Sequence, residues 1–240
     1  MVNEAIKTAD IEGEFISRMD LVSSIRKNLG YITPAFHIND KRSEGIAKLL
    51  VKVREGFESD LTETILFSWH QLLLSGNNYI NAGQYRNHTE PMQVISGAIG
   101  KEEVHFEAPP AAQVDAEMQS FFKWFNATTP TDKTPMHNLL IRAAIAHLYY
   151  ETIHPFEDGN GRMGRVIAEK ALAQGLKRPI LMSLSTAIEA DKKAYYTALK
   201  KAQRTNDVTE WVTYFTAIIL KAQQLFYRNN PFYVEENKVF

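Results

Sequence analysis

Apolar residues recur at helical spacing along most of the chain. In 139–152 (LLIRAAIAHLYYET), Leu140, Ala143, Ala144, His147 and Leu148 share one face. In 161–174 the stripe continues as Met163, Val166, Ile167 and Ala171, with Gly175 predicted to stop the helix and Pro179 beyond it. Residues 112–126 carry Val114, Met118, Phe121, Phe122 and Phe125 on one stripe, and 190–203 and 208–227 also read as helix. Asn229-Asn230-Pro231 closes the last of these. The period changes only in 83–110. There Gln93-Val-Ile-Ser, Gly97, Gly100 and Val104-His-Phe106, followed by Pro109-Pro110, predict a short β-hairpin. A lone hairpin makes no core, so it must lie on the helical body. The pattern therefore predicts an all-α fold carrying one hairpin.

Composition narrows the partners. The chain has 240 residues, 45% of them apolar, which supports a sizeable core. A formal net charge of −1 gives no global basic field, so neither nucleic acid nor an anionic membrane is an expected partner. With no cysteine there are no disulfides and no thiolate ligands or nucleophiles. The start, MVNEAIKTADIEGEF, lacks the apolar core of a leader, and no stretch is long and apolar enough to span a bilayer. The expected location is cytoplasmic.

The chemistry concentrates in His154–Arg165, HPFEDGNGRMGR. Gly159, Gly161 and Gly164 match G-x-G-x-x-G, but a dinucleotide loop must follow a strand, and the preceding segment here is helix-periodic. A zinc reading fails too, because Pro155 and Gly159 break any helix between His154 and Asp158 and no further histidine is near. The spacing fits a different task. Gly159-Asn160-Gly161 enters a helix, so unpaired N–H groups at a positive dipole end form an anion cradle. Asn160 can add an amide donor. Arg162 and Arg165 lie three apart on the first turn, and two guanidiniums suit a triphosphate. Asp158 sits where a carboxylate would hold Mg²⁺ against phosphate oxygens. His154, with an unperturbed pKa of about 6.5, is available as a general base. Phe156 reads as an apolar anchor for the loop.

This stretch resembles the H-x-F-x-[D/E]-G-N-G-R-x-x-R signature of Fic-domain proteins, with every position filled. GQYRNHTEPMQVISG resembles the family's flap, EVHFEAPPAAQVDAEMQSFFKWFN the segment after it, and AYYTALKKAQ the stretch near the nucleotide base. The resemblance covers most of residues 5–220. It implies a Fic-type helical bundle with a β-hairpin flap. It also implies transfer of AMP from ATP to a Ser, Thr or Tyr hydroxyl of a protein, with Mg²⁺ and release of pyrophosphate. By the same resemblance His154 is the base, Asp158 holds the metal, and Gly159, Asn160, Gly161, Arg162 and Arg165 hold the phosphates. Tyr195, Tyr196 and Gln203 match positions around the adenosine. Val94, Ile95, Ser96 and Gly97 match the flap that aligns the target, and the family implies pairing as homodimers.

Thr8–Gly13 (TADIEG) resembles the family's inhibitory [S/T]-x-x-x-E-[G/N] motif. Thr8 and Glu12 share a helix face, and Gly13 would end the helix. A glutamate in a last turn opposes the helix dipole, so Glu12 should seek a cation; the resemblance names Arg165. The expected organisation is an inhibitory region over 1–30, a catalytic core over 31–228 (flap about 84–106, signature 154–165) and a peripheral segment over 229–240. The leading expectation is an autoinhibited protein adenylyltransferase that modifies itself when released. Three alternatives stay open: hydrolytic removal of AMP, a different nucleotide donor, and a non-catalytic nucleotide-sensing regulator.

Overall fold

The computed structural model describes residues 1–31, 40–90, 92–96, 103–132 and 134–230. In chain order the elements are α1 (Val2–Glu12), α2 (Arg18–Asn28), α3 (Lys41–Glu55), α4 (Glu63–Leu73), β1 (Gln93–Ser96), β2 (Glu103–Glu107) and α5 (Ala111–Ala127). They continue with α6 (Leu139–Ile153), α7 (Asn160–Leu176), α8 (Leu184–Glu189), α9 (Lys192–Ala202) and α10 (Thr209–Asn229).

The axis of the molecule is the antiparallel pair α6 and α7, joined by the loop 154–159. Asn138 starts α6 by accepting from the N–H groups of Leu140 and Ile141 at 3.1 and 3.2 Å. Nearly every residue of α7 from Asn160 to Gln174 is buried, so the helix is surrounded by its neighbours. Arg142 lies outside the expected apolar stripe of α6 and is buried all the same. It is 1% exposed, lies over the Phe125 ring at 4.5 Å, and donates to Phe125 O, Ala171 O, Thr128 Oγ1 and Gln174 Oε1. Four acceptors satisfy the guanidinium and tie α5, α6 and α7 together.

Gly175 does not stop α7. The helix runs to Leu176, and Lys177, with φ 54°, caps it. Gly175 is there for packing instead, because an added Cβ would lie 2.5 Å from the Leu139 Cβ. The expected helix over 190–203 is α9, preceded by a separate short helix, α8, that the pattern did not reveal. Asp191 separates them by capping α9 through the Ala194 N–H at 3.0 Å.

β1 and β2 pair antiparallel with a register shift between Val94 and Ile95. This is the expected hairpin; Gly97 and the turn lie outside the described residues, as does Pro231. The N-terminal region is built into the body. Ala5, Ala9 and Ile11 of α1 join the common core, and α1 packs along α8. The buried Glu4 carboxylate receives the Ser183 hydroxyl at 2.6 Å, the Ser185 N–H at 3.0 Å and the Ser185 hydroxyl. This docking fixes where the end of α1 points.

Candidate active site

α6 ends in a tight turn. His154 follows it at φ 51°, a left-handed conformation uncommon for a side chain, and its N–H still donates to Tyr150 O at 3.0 Å. The buried guanidinium of Arg86 holds this turn from outside. It donates to His154 O at 2.8 Å, to Ile153 O at 3.4 Å and to Pro109 O, while its main-chain N–H donates to Pro155 O at 2.9 Å. A cation there meets the orphan carbonyls at the negative end of α6. It also links the loop 154–159 to the segment that follows β2.

Phe156 is fully buried and stacks on His70, with ring centroids 3.7 Å apart and planes 5° from parallel. His70 Nδ1 accepts the Gly83 N–H at 2.9 Å, so its Nε2 carries the proton and donates to Asp158 O at 3.0 Å. Burial pushes its pKa down and keeps the ring neutral.

Asn160 corrects an expectation. Its side chain does not face the cradle as a phosphate donor. Its Oδ1 accepts from Phe156 N–H at 2.9 Å and its Nδ2 donates to Phe156 O at 2.8 Å, and the residue is 2% exposed. The amide closes the loop on itself and leaves the cradle to main-chain N–H groups. Asn160→Ala should therefore lower stability by about 1–3 kcal/mol, because it orphans two buried main-chain groups. Urea unfolding checks this; an unchanged midpoint would show that the loop is held by other contacts.

Gly159, at φ 79°, caps α7. Asp158 lies beside it, with Oδ1 accepting the Gly159 N–H at 2.6 Å and its side chain 43% exposed. Arg162 and Arg165 point to the same end of α7, and both already hold anions. Arg165 donates Nη2 to Glu12 Oε1 at 2.7 Å and Nε to Thr8 Oγ1 at 2.8 Å, and its Nη2 also reaches Thr8 O at 3.2 Å. Thr8 and Glu12 thus face Arg165 from one side of α1. Gly13, at φ 76°, ends that helix. Lys192 donates to the Ile11 carbonyl of the last turn and lies 5.8 Å from the centre of the Tyr196 ring. Arg162 donates Nη1 to Glu14 Oε2 at 2.7 Å and lies 3.5 Å from Asp158 Oδ2. Gly161 makes the approach of α1 possible, since a Cβ there would meet Glu12 Oε1 at 2.7 Å.

Electrostatics follow from this packing. The His154 side chain is 13% exposed, and its Nδ1 lies 3.9 Å from Glu151 Oε2. Burial pushes its pKa down to about 4; the Glu151 carbonyl, Glu12 and Asp158 oppose this and Arg86 assists it. The imidazole is therefore neutral at pH 7. Burial pushes the Glu151 carboxyl up to about 8, against the pull of Arg165. Burial also works against Glu12, but Arg165, then Arg162 and Lys192, outweigh it and hold Glu12 below 4.5. Arg165, though buried, has its pKa raised by that carboxylate.

The adenosine positions divide. Tyr195 is 1% exposed, and its hydroxyl meets His147 Nε2 at 3.2 Å. It is a core residue packed beside Trp211, so its ring is closed to a base. Tyr196 is half-buried beside it, and Gln203 donates to Glu151 O in the last turn of α6 at 3.2 Å. Val94, Ile95 and Ser96 form β1, whose one strand partner among the described residues is β2. Sequence reasoning missed His70, Arg86, Glu14 and Lys192. Glu14 left a signal in the repeated acid of Glu12-Gly13-Glu14; the other three act across folds of the chain that no local pattern records.

Comparison with known proteins identifies the family. Residues 60–172 match the Fic/DOC family. A Fido domain-containing protein of Dictyostelium discoideum is 30% identical over 117 residues, which span 48% of this chain and 76% of that protein. The chain belongs to the Fic/DOC family. The protein adenylyltransferase Fic of Drosophila melanogaster is 26% identical over 167 residues, 70% of this chain but 30% of the fly protein. The crystal structure of a Fic family protein from Desulfovibrio desulfuricans shares the fold, with a TM-score of 0.68 at 22% identity over 95% of this chain and 65% of that one. No helix among the described residues is long and apolar enough to cross a membrane.

Proposed function

We propose that the chain transfers AMP from ATP to a Ser, Thr or Tyr hydroxyl of a protein, and that α1 holds the site closed until Glu12 withdraws. The observation that carries this reading is the Glu12 carboxylate on Arg165. It stands in for a phosphate: an anion already sits at the N-terminal turn of α7, seated on a buried guanidinium and against Gly161. A triphosphate makes the same demands and brings more charge.

In the open state the N–H groups of α7, Arg162 and Arg165 hold the phosphates. Asp158 fits Mg²⁺, because one open carboxylate is what an ion sharing phosphate and water ligands requires; no cluster of three or more metal-ligating side chains occurs among the described residues. Bound there, the ion would neutralise phosphate charge. Neutral His154 takes the proton from the target hydroxyl as that oxygen bonds to the α-phosphorus. The bond to the pyrophosphate oxygen breaks, and the arginines stabilise the charge on the leaving group. The edge of β1 away from β2, unpaired among the described residues, suits an extended target segment held through main-chain groups.

The test is incubation of the Glu12→Gly chain and a cell lysate with Mg²⁺ and ATP labelled at either the α- or the γ-phosphate. The proposal expects protein-bound label from the α position alone. Label from the γ position, or none from ATP but some from UTP or GTP, would contradict it. ATP binding without any transfer would favour the regulator.

A further inference from the structure

We infer that Glu14 is a second lock on the nucleotide site, holding Arg162 as Glu12 holds Arg165. The inference rests on the nucleotide reading above, but a different residue and a different contact carry it. Arg162 is 3% exposed, and burying its charge calls for a close acceptor. Glu14 supplies it at 2.7 Å, with its own side chain 31% exposed. Asp158 approaches Arg162 more loosely, at 3.5 Å, and Glu12 acts on it at longer range.

Glu14 is not part of the α1 face that carries Thr8 and Glu12. It lies past Gly13, in the connector between α1 and α2, where its N–H turns back to Ala9 O at 2.9 Å. Phe15 beside it is 81% exposed and Ile16 beyond is buried, so the connector is pinned at one residue and open at the next. The two carboxylates thus reach the two arginines from either side of the cap of α1, Glu12 from its last turn and Glu14 from the start of the connector. Together they occupy both guanidiniums that a triphosphate would need. Glu14 also closes a chain, Glu14–Arg162–Asp158, that draws the proposed metal carboxylate towards the protein.

Opening the site then takes two steps. Removing Glu12 frees Arg165 alone, and an incoming nucleotide must still displace Glu14 while its phosphates are repelled by that carboxylate. Glu14→Gln keeps the shape and removes the charge. It should raise ATP affinity about three- to tenfold, alone or in a Glu12→Gly background, since the pair is charge-assisted but partly screened.

The experiment is calorimetric titration of ATP with Mg²⁺ into His154→Ala chains, which prevents turnover, carrying Glu12→Gly, Glu14→Gln, both or neither. A gain from Glu14→Gln in either background supports the second lock. An unchanged affinity in both overturns it, whatever Glu12→Gly does. Failure of Glu12→Gly to raise affinity is a separate result and counts against the first lock. Glu14→Asp, which keeps the charge on a shorter arm, should stay nearer the parent than Glu14→Gln; an equal gain from both would place the effect in packing and overturn the inference.

Discussion

In a Glu12→Gly background, His154→Ala lowers the rate of AMP transfer by about 10²–10⁴, the usual contribution of a positioned general base. ATP affinity should change little, because His154 caps α6, whereas the proposed phosphate contacts are Arg162 and Arg165 of α7. The pH dependence makes the prediction more specific. A buried imidazole with its pKa pushed down to about 4 stays unprotonated as pH falls through the ordinary histidine range around 6.5. The base is thus present above the lowered pKa and is lost only as pH drops through it. The acid limb of kcat/KM should therefore lie below pH 6.5. Removing Glu12 takes away a charge that raises this pKa, which moves the limb lower still. Initial rates across pH check both points; an acid limb at or above 6.5 would mean that His154 is more solvated in the working enzyme than in the structure described here.

Glu12→Gly raises transfer about ten- to a hundredfold, the equivalent of breaking one charge-assisted contact of roughly 1.5–3 kcal/mol that competes with ATP. The Glu12 side chain is 27% exposed and Arg165 is 1% exposed, so the pair is only lightly screened. The lock is also insensitive to pH near neutrality. Arg165 holds the Glu12 carboxyl below its ordinary 4.5, so the ion pair is complete above that value and is lost only as pH falls through the lowered pKa. Relief by Glu12→Gly should therefore be as large at pH 6 as at pH 7, below the range around 8 in which Glu151, which interacts with Arg165, ionises. The same substitution leaves Arg165 buried without its counter-charge, so the variant should melt below wild type and recover part of the difference when ATP binds. Initial rates of AMP incorporation at low ATP, together with thermal melts with and without ATP, measure these effects. Arg165→Ala should not reproduce the gain, because it removes the phosphate contact together with the lock.

Local periodicity accounts for what was legible beforehand. Residues 112–126, 139–152 and 161–174 bury one stripe or most of their surface, so their apolar spacing shows in sequence. The signature and TADIEG were equally visible, because each packs its chemistry into one turn or loop. What stayed hidden depends on distant packing. Asn160 reads as a donor until the Phe156 main chain is seen on both sides of its amide. Tyr195 reads as a base contact until His147 and Trp211 close over it. Gly175 reads as a stop until Leu139 is found against it. Glu14 meets Arg162 across 148 positions and Thr8 meets Arg165 across 157, separations that only the docking of α1 on α8 brings together.

Competition between Glu12 and the nucleotide for Arg165, with His154 as the base, underlies the proposed function. Its most direct test is the intact mass of the chain after incubation with ATP and Mg²⁺, measured for wild type, Glu12→Gly, and Glu12→Gly with His154→Ala. A mass increase of one or more AMP groups is expected in Glu12→Gly, little in wild type, and none in the double variant. Equal labelling of wild type and Glu12→Gly at every ATP concentration would contradict the competition, and undiminished labelling of the double variant would remove His154 from the reaction.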